Sequence, residues 1–143
     1  MSASNAFAGV GASFWRSNML SSGGTFARIA EINNISGISK SRDTIDVTNL
    51  DSTGGYKEFI AGFRDAGQVV LDMNFTLDGF DDFNADFEAS DAREYRIMLP
   101  DSNATQFDFS GLVVGLDGPK IAANDKVTMS VTIKITGAVT LRS

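Results

Sequence analysis

A chain of 143 residues with neither cysteine nor histidine cannot form a disulfide, a thiolate nucleophile, an imidazole base or a His/Cys zinc site. Its 12 Lys and Arg are scattered singly against 18 Asp and Glu, for a net charge of −6, so no basic patch can neutralise successive phosphates. The length predicts one domain burying about 68–70% of its unfolded surface. With no leader-like start and no apolar run near the ~20 residues of a spanning helix, a cytosolic origin without membrane contact is expected.

Residues 1–24 are rich in Ser, Gly, Ala and Asn and carry the aromatics Phe7, Phe14 and Trp15. That is too little apolar surface to fold alone, so the segment is expected to be a flexible arm, either a frayed terminus or, the reading preferred, one docking these side chains on a neighbouring subunit. The folded domain is then expected over residues 25–137, with a tail at 138–143. Residues 26–32 read as the first strand, with Arg28 and Glu31 outward. Asn33-Asn34 and Ser36-Gly37 turn the chain into a second strand over 41–50, where Asp43-Thr44-Ile45-Asp46-Val47-Thr48 alternates.

Asp51-Ser52-Thr53-Gly54-Gly55 is a turn cluster, and a long loop to Gly67 is expected after it. Tyr56, Phe59, Ile60 and Phe63 are large apolar residues where a solvent loop should be polar. They either fold back on their own domain or fit a neighbouring molecule; the neighbour is the reading preferred. Residues 68–77 alternate again, with Val69, Leu71, Met73, Phe75 and Leu77 on one face and Asp72 on the other. A single short helix is expected over 81–90, capped by Asp81 and burying Phe83 and Phe87.

Further strands are expected at 93–99 and 106–116, with Phe107 and Phe109 inward, before a turn at Asp117-Gly118-Pro119. In the last strand Val127, Met129, Val131, Ile133 and Ile135 alternate with polar residues until Gly137. The sum is a mainly β fold: a small antiparallel sandwich or part-open barrel with one flanking helix and a long inter-strand loop.

No catalytic, cofactor or metal site emerges. Gly9-Val10-Gly11 lacks the remainder of a dinucleotide fingerprint, and Gly118-Pro119-Lys120 is not a phosphate loop. The cluster Asp78, Asp81, Asp82, Asp86 and Glu88 lacks the ligand alternation of a calcium loop and reads as a solvated helix face. No spacing selects one catalytic carboxylate pair.

The run Arg42-Asp43-Thr44-Ile45-Asp46-Val47-Thr48, then Asp51-Ser52, Gly55, Glu58-Phe59-Ile60-Ala61-Gly62 and Arg64-Asp65-Ala66-Gly67, resembles the tail tube proteins (major tail proteins) of long non-contractile-tailed bacteriophages. The likeness extends from about Ala27 to the strand ending at Gly137, and fades over residues 1–24 and 81–117. It implies a structural subunit of the virion tail, assembled in the host cytoplasm, whose domains close into hexameric rings that share one large β-barrel and stack into a hollow tube for DNA. About four strands from each of six subunits, at ~4.8 Å per strand and ~40° tilt, give a backbone diameter of roughly 45–50 Å, wide enough for a duplex. An acidic wall would let DNA pass without specific binding.

The resemblance also implies that the loop from about 49 to 67 makes ring-to-ring contacts, with Asp51, Tyr56, Phe59, Ile60, Phe63, Arg64 and Asp65 as candidates. Asp46, Thr48 and Asp72, facing away from their apolar neighbours, are candidate lumen residues. Partners implied by the family are further copies of the chain, a tape measure protein, a tail terminator and a distal tail protein. The rival readings are a ring-forming tube protein of a related bacterial secretion apparatus and, from another class, a sugar-binding β-sandwich.

Overall fold

The computed structural model describes residues 12–20, 24–29, 31–49, 53–100, 105–121, 123 and 126–142. Strands β1 (Ser13–Leu20), β2 (Phe26–Ile29), β3 (Ile32–Gly37), β6 (Gln68–Asn74), β7 (Arg93–Met98), β8 (Gln106–Lys120) and β9 (Thr128–Arg142) form one antiparallel sheet in the order β2-β1-β7-β8-β9-β6-β3. Strands β4 (Ser41–Asp46) and β5 (Phe59–Asp65) form a separate two-stranded sheet. Helix α1 spans Leu77–Glu88. The mainly β expectation holds, and no closed barrel forms within one chain.

Strands β2 and β3 lie at opposite edges of the large sheet yet are separated by only residues 30 and 31, so the sheet must curl until its edges meet at that corner. Glu31 takes the corner with a positive φ of 65°, and Asn74 fixes it, its backbone N–H donating to Glu31 O at 2.9 Å and its Nδ2 to Oε2 at 2.7 Å. The two edges do not pair.

Period-two alternation sends one face inward. Val69, Leu71 and Met73 of β6, Met129, Val131, Ile133 and Ile135 of β9, and Phe109 and Val113 of β8 make the core with Phe14 of β1 and Tyr95 and Ile97 of β7. Phe14 is 0% exposed, with ring centroids 5.6 Å from Tyr95 and 6.4 Å from both Phe83 and Phe109, in the tilted range where aromatic pairs attract beyond their burial.

Helix α1 closes the core beside β8. Its cap is Thr76, whose Oγ1 accepts from Gly79 N at 3.0 Å, so the helix begins four residues earlier than the Asp81 start expected. Gly79, Phe83 and Asp86 are buried; Phe87 is exposed, contrary to expectation.

Other boundaries require correction: the strand expected over 26–32 ends at Ile29, and the turn expected at Asn33-Asn34 and Ser36-Gly37 is strand β3. Residues 13–20 are a strand between β2 and β7, not part of an arm, and the boundary expected at residue 24 falls inside the sheet. The loop expected to Gly67 contains β5, paired to β4 from Asp46↔Phe59 to Ser41↔Asp65. Strand β9 runs through Gly137 to Arg142, because Gly137 adopts φ 83° where the register with β8 shifts and pairing resumes at Asp108↔Thr140. The 138–143 tail is thus strand as far as Arg142, and Gly118-Pro119 lies within β8.

Candidate assembly surface

The β4–β5 hairpin stands apart from the core. Every residue of β4 is exposed, and so is all of β5 except half-buried Gly62. Phe63 is 90% and Tyr56 78% exposed, with Ile45, Val47, Phe59 and Ile60 also uncovered. These side chains do not fold back on their own domain. A two-stranded ribbon is marginal in water by itself, and grouped exposed apolar residues of this kind are uncommon on a free monomer surface.

Local hydrogen bonds hold the ribbon in shape. Val47 N donates to Glu58 O at 2.9 Å, Glu58 N to Thr48 Oγ1 at 2.6 Å, and Thr48 N to Asp46 Oδ1 at 2.8 Å. At its base Asp65 accepts from Gly67 N at 2.8 Å and from Lys134 Nζ at 3.0 Å. These two contacts, the backbone one foremost, hold the Asp65 carboxyl below its usual pKa. Gly67 has φ 82°, and a Cβ there would sit 2.6 Å from Ser39 O, so the exit from the ribbon requires glycine.

Tyr56, Phe59, Ile60, Phe63, Arg64 and Asp65 therefore share one projecting element; Asp51 lies outside the described residues. Asp46 and Thr48 belong to the same ribbon. Asp72 is elsewhere, on the polar face of the large sheet: its carboxylate accepts from Ser130 Oγ at 2.8 Å and Asn34 Nδ2 at 3.4 Å. The alternation puts Asn34, Gln68, Asn74, Thr128, Thr132, Lys134 and Thr136 on that same face. The three residues expected to share a lumen are thus on two separate surfaces.

Of the aromatics expected to dock elsewhere, Phe7 lies outside the described residues. Phe14 is a correction: it fills this chain's own core. Trp15 is half-buried on β1 and donates from Nε1 to Ser13 Oγ at 2.8 Å.

Asp86 is a further correction to the solvated helix face. Its buried carboxylate accepts from Arg16 Nε at 2.8 Å and Nη2 at 2.7 Å, and from the Tyr95 hydroxyl at 2.7 Å. Arg93 Nε lies against it as an ion pair without hydrogen-bond alignment, while Arg93 Nη1 donates to Ser17 O at 2.8 Å. Burial, then the Asp86 charge, pushes the Tyr95 hydroxyl far above its ordinary pKa. The cluster locks α1 to β1 and β7. Its contacts run between β1, β7 and α1 within the fold, with Arg16 also reaching Asp82.

Among the described residues no group of acidic, Cys or His side chains is arranged to hold a metal ion, and no helix is long and apolar enough to cross a membrane.

Residues 7–142 match a family model described as lambda phage tail tube protein, TTP. No curated protein sequence matches the chain. Solved structures that share its fold include three from tail-like particles and one, 15% identical with a TM-score of 0.62, from the six-fold symmetrised anti-feeding prophage baseplate. A chain of the tail of an empty GTA particle, refined with C6 symmetry, is 22% identical with a TM-score of 0.70 over 91% of this chain and 96% of that one. A chain of the PVC extracellular contractile injection system, sheath/tube terminator in the extended state, is 16% identical with a TM-score of 0.73 over 99% and 100%. A chain of the anti-feeding prophage tube-terminating cap is 13% identical with a TM-score of 0.74 over 100% and 95%.

Proposed function

Since the chain belongs to the lambda phage tail tube protein family, we propose that its copies join laterally into six-membered rings, and that the β4–β5 ribbon carries each ring onto the next. The family is a structural one, and the role is accordingly architectural, without a catalytic residue. Six-fold rings are supported by the C6 symmetry of the GTA tail whose fold this chain shares.

The single observation that carries the reading is the ribbon, an exposed apolar element attached to a self-sufficient core. Lateral joining would use the free edges of β2 and β3, which present unpaired backbone groups to a neighbour. The polar face bearing Asp72, Ser130 and the threonines of β9 would then turn toward the channel. That face is mainly hydroxyl and amide, its Lys134 is paired with Asp65, and in a chain of net charge −6 it offers DNA few counterion-releasing contacts. Asp46 and Thr48 would lie at the junction between rings.

The subunit would be assembled in the host cytoplasm and end in the virion tail, meeting a tape measure protein, a terminator and a distal tail protein at its boundaries. The terminator, cap and baseplate assemblies among the structures sharing this fold support such boundaries. The match to the phage family favours this reading over the secretion-apparatus tube and the sugar-binding sandwich.

Phe59→Asp tests the ribbon. The variant is expected to retain the cooperative unfolding of the wild type and to form no tubes in negative-stain micrographs. Tubes as abundant as those of the wild type would defeat the assignment.

A further inference from the structure

At the base of the ribbon, Lys40, Arg42 and Arg64 line one recess with Phe63, Ile135 and Val139. Arg42 and Arg64 are direct cross-strand partners. Like charges so placed, with Cβ atoms ~5 Å apart, repel and weaken the hairpin that carries them. Asp65 lines the recess too but is paired with Lys134, and among the described residues no salt bridge neutralises Lys40, Arg42 or Arg64.

The complement is on the same chain, out of its own reach. Asp78, Asp81 and Glu88 fall on one exposed stripe of α1 and make no salt bridge among the described residues. Asp78 and Asp81, three residues apart on the helix, have Cβ atoms ~5–6 Å apart, the spacing of the arginine pair. Beside them Leu77 is 69% exposed, an apolar counterpart for Phe63.

The recess adjoins the start of β6 at Gln68, whereas α1 begins just past its end at Asn74. Seven residues of strand, ~23 Å, separate the two surfaces. The contact must therefore be made between molecules.

We infer that the Lys40/Arg42/Arg64 recess of one copy receives the Asp78/Asp81 stripe of α1 from an adjacent copy, with Leu77 meeting Phe63. This rests on the tube assembly proposed above and supplies the receiving surface for the ribbon's base. A head-to-tail contact of this type leaves one free recess and one free stripe on every growing end, which is what repeated addition needs. Charge pairing gives it direction and a salt-sensitive rate.

Two doubly substituted proteins test it: Arg42→Glu with Arg64→Glu, and Asp78→Arg with Asp81→Arg. Each alone now opposes like charges at every contact and is expected to lose tubes while unfolding cooperatively like the wild type. Mixed in equal amounts, each offers the other a matching surface, and tubes are expected to return, with both proteins found in them by mass spectrometry. Either variant polymerising alone as the wild type does, or a mixture that stays unassembled, would overturn the contact. The tube reading would stand in both cases, since the wild type polymerises beside them.

Discussion

Arg16 of β1 and Asp86 of α1, 70 residues apart in sequence, meet through two hydrogen bonds of 2.7 and 2.8 Å, with Asp86 buried. Burial opposes the charge on Arg16, yet the hydrogen bond and charge of Asp86 overcome it and raise the arginine pKa. Removing the carboxylate strands two mostly buried guanidinium groups. Asp86→Ala is therefore expected to lose about 3–5 kcal/mol of stability, read from denaturant midpoints at unchanged m. A loss under about 1 kcal/mol would show that Arg16 and Arg93 reach water without it.

Tyr95 donates to the same carboxylate, and its hydroxyl titrates above its ordinary value. A raised acid binds its proton more tightly folded than unfolded, so its contribution is complete below about pH 10 and declines as pH rises beyond that. Thermal melts of the wild type should fall through this alkaline range. Tyr95→Phe should start lower, by about 1–3 kcal/mol for the partner lost at Asp86, and decline less steeply.

Phe14 separates a docking arm from a core residue. Truncation to Ala is expected to cost about 3–5 kcal/mol in the isolated subunit, as for a buried phenylalanine. Unchanged melting of the dilute monomer, with assembly alone impaired, would restore the arm.

Phe63→Ser should behave in the opposite manner. At 90% exposure the ring contributes little to the monomer, so stability should stay within about 0.5 kcal/mol of the wild type while tube formation fails.

Hydrogen exchange gives the same contrast without mutation. Amides of β4 and β5 should exchange quickly in the subunit, since the ribbon has little packing behind it, and be protected on assembly. Amides of β6 and β9, in the middle of the core, should be protected in both. Equal protection of the ribbon before and after assembly would place it outside the contact.

Much of this fold was legible. The alternation through Val131, Ile133 and Ile135 yields β9, that of Val69 to Met73 yields β6, and both lie inward as expected. β1 escaped because Ser13–Leu20 does not alternate in hydropathy: Arg16 points inward, and only its distant partner Asp86 makes that tolerable. For the same reason Asp86 looked solvated; a charge reads as outward until its mate is known. β5 escaped because its apolar residues lack a core of their own and Gly62 interrupts them. The helix start was within reach: Thr76 with acidic Asp78 in the first turn is a cap signal that Asp81 overshadowed. The large apolar residues of the ribbon were legible and are exposed, while the Arg42↔Arg64 pairing required the register.

The corner at Glu31 ties the two unpaired borders of the large sheet together through a link of two residues. A neighbour that grips the β2 border thereby pulls on the β3 border as well, so strain entering on one flank of a subunit would be passed to the other within a single short span. In a circle of such subunits, a bend imposed at one seam would be shared by all of them.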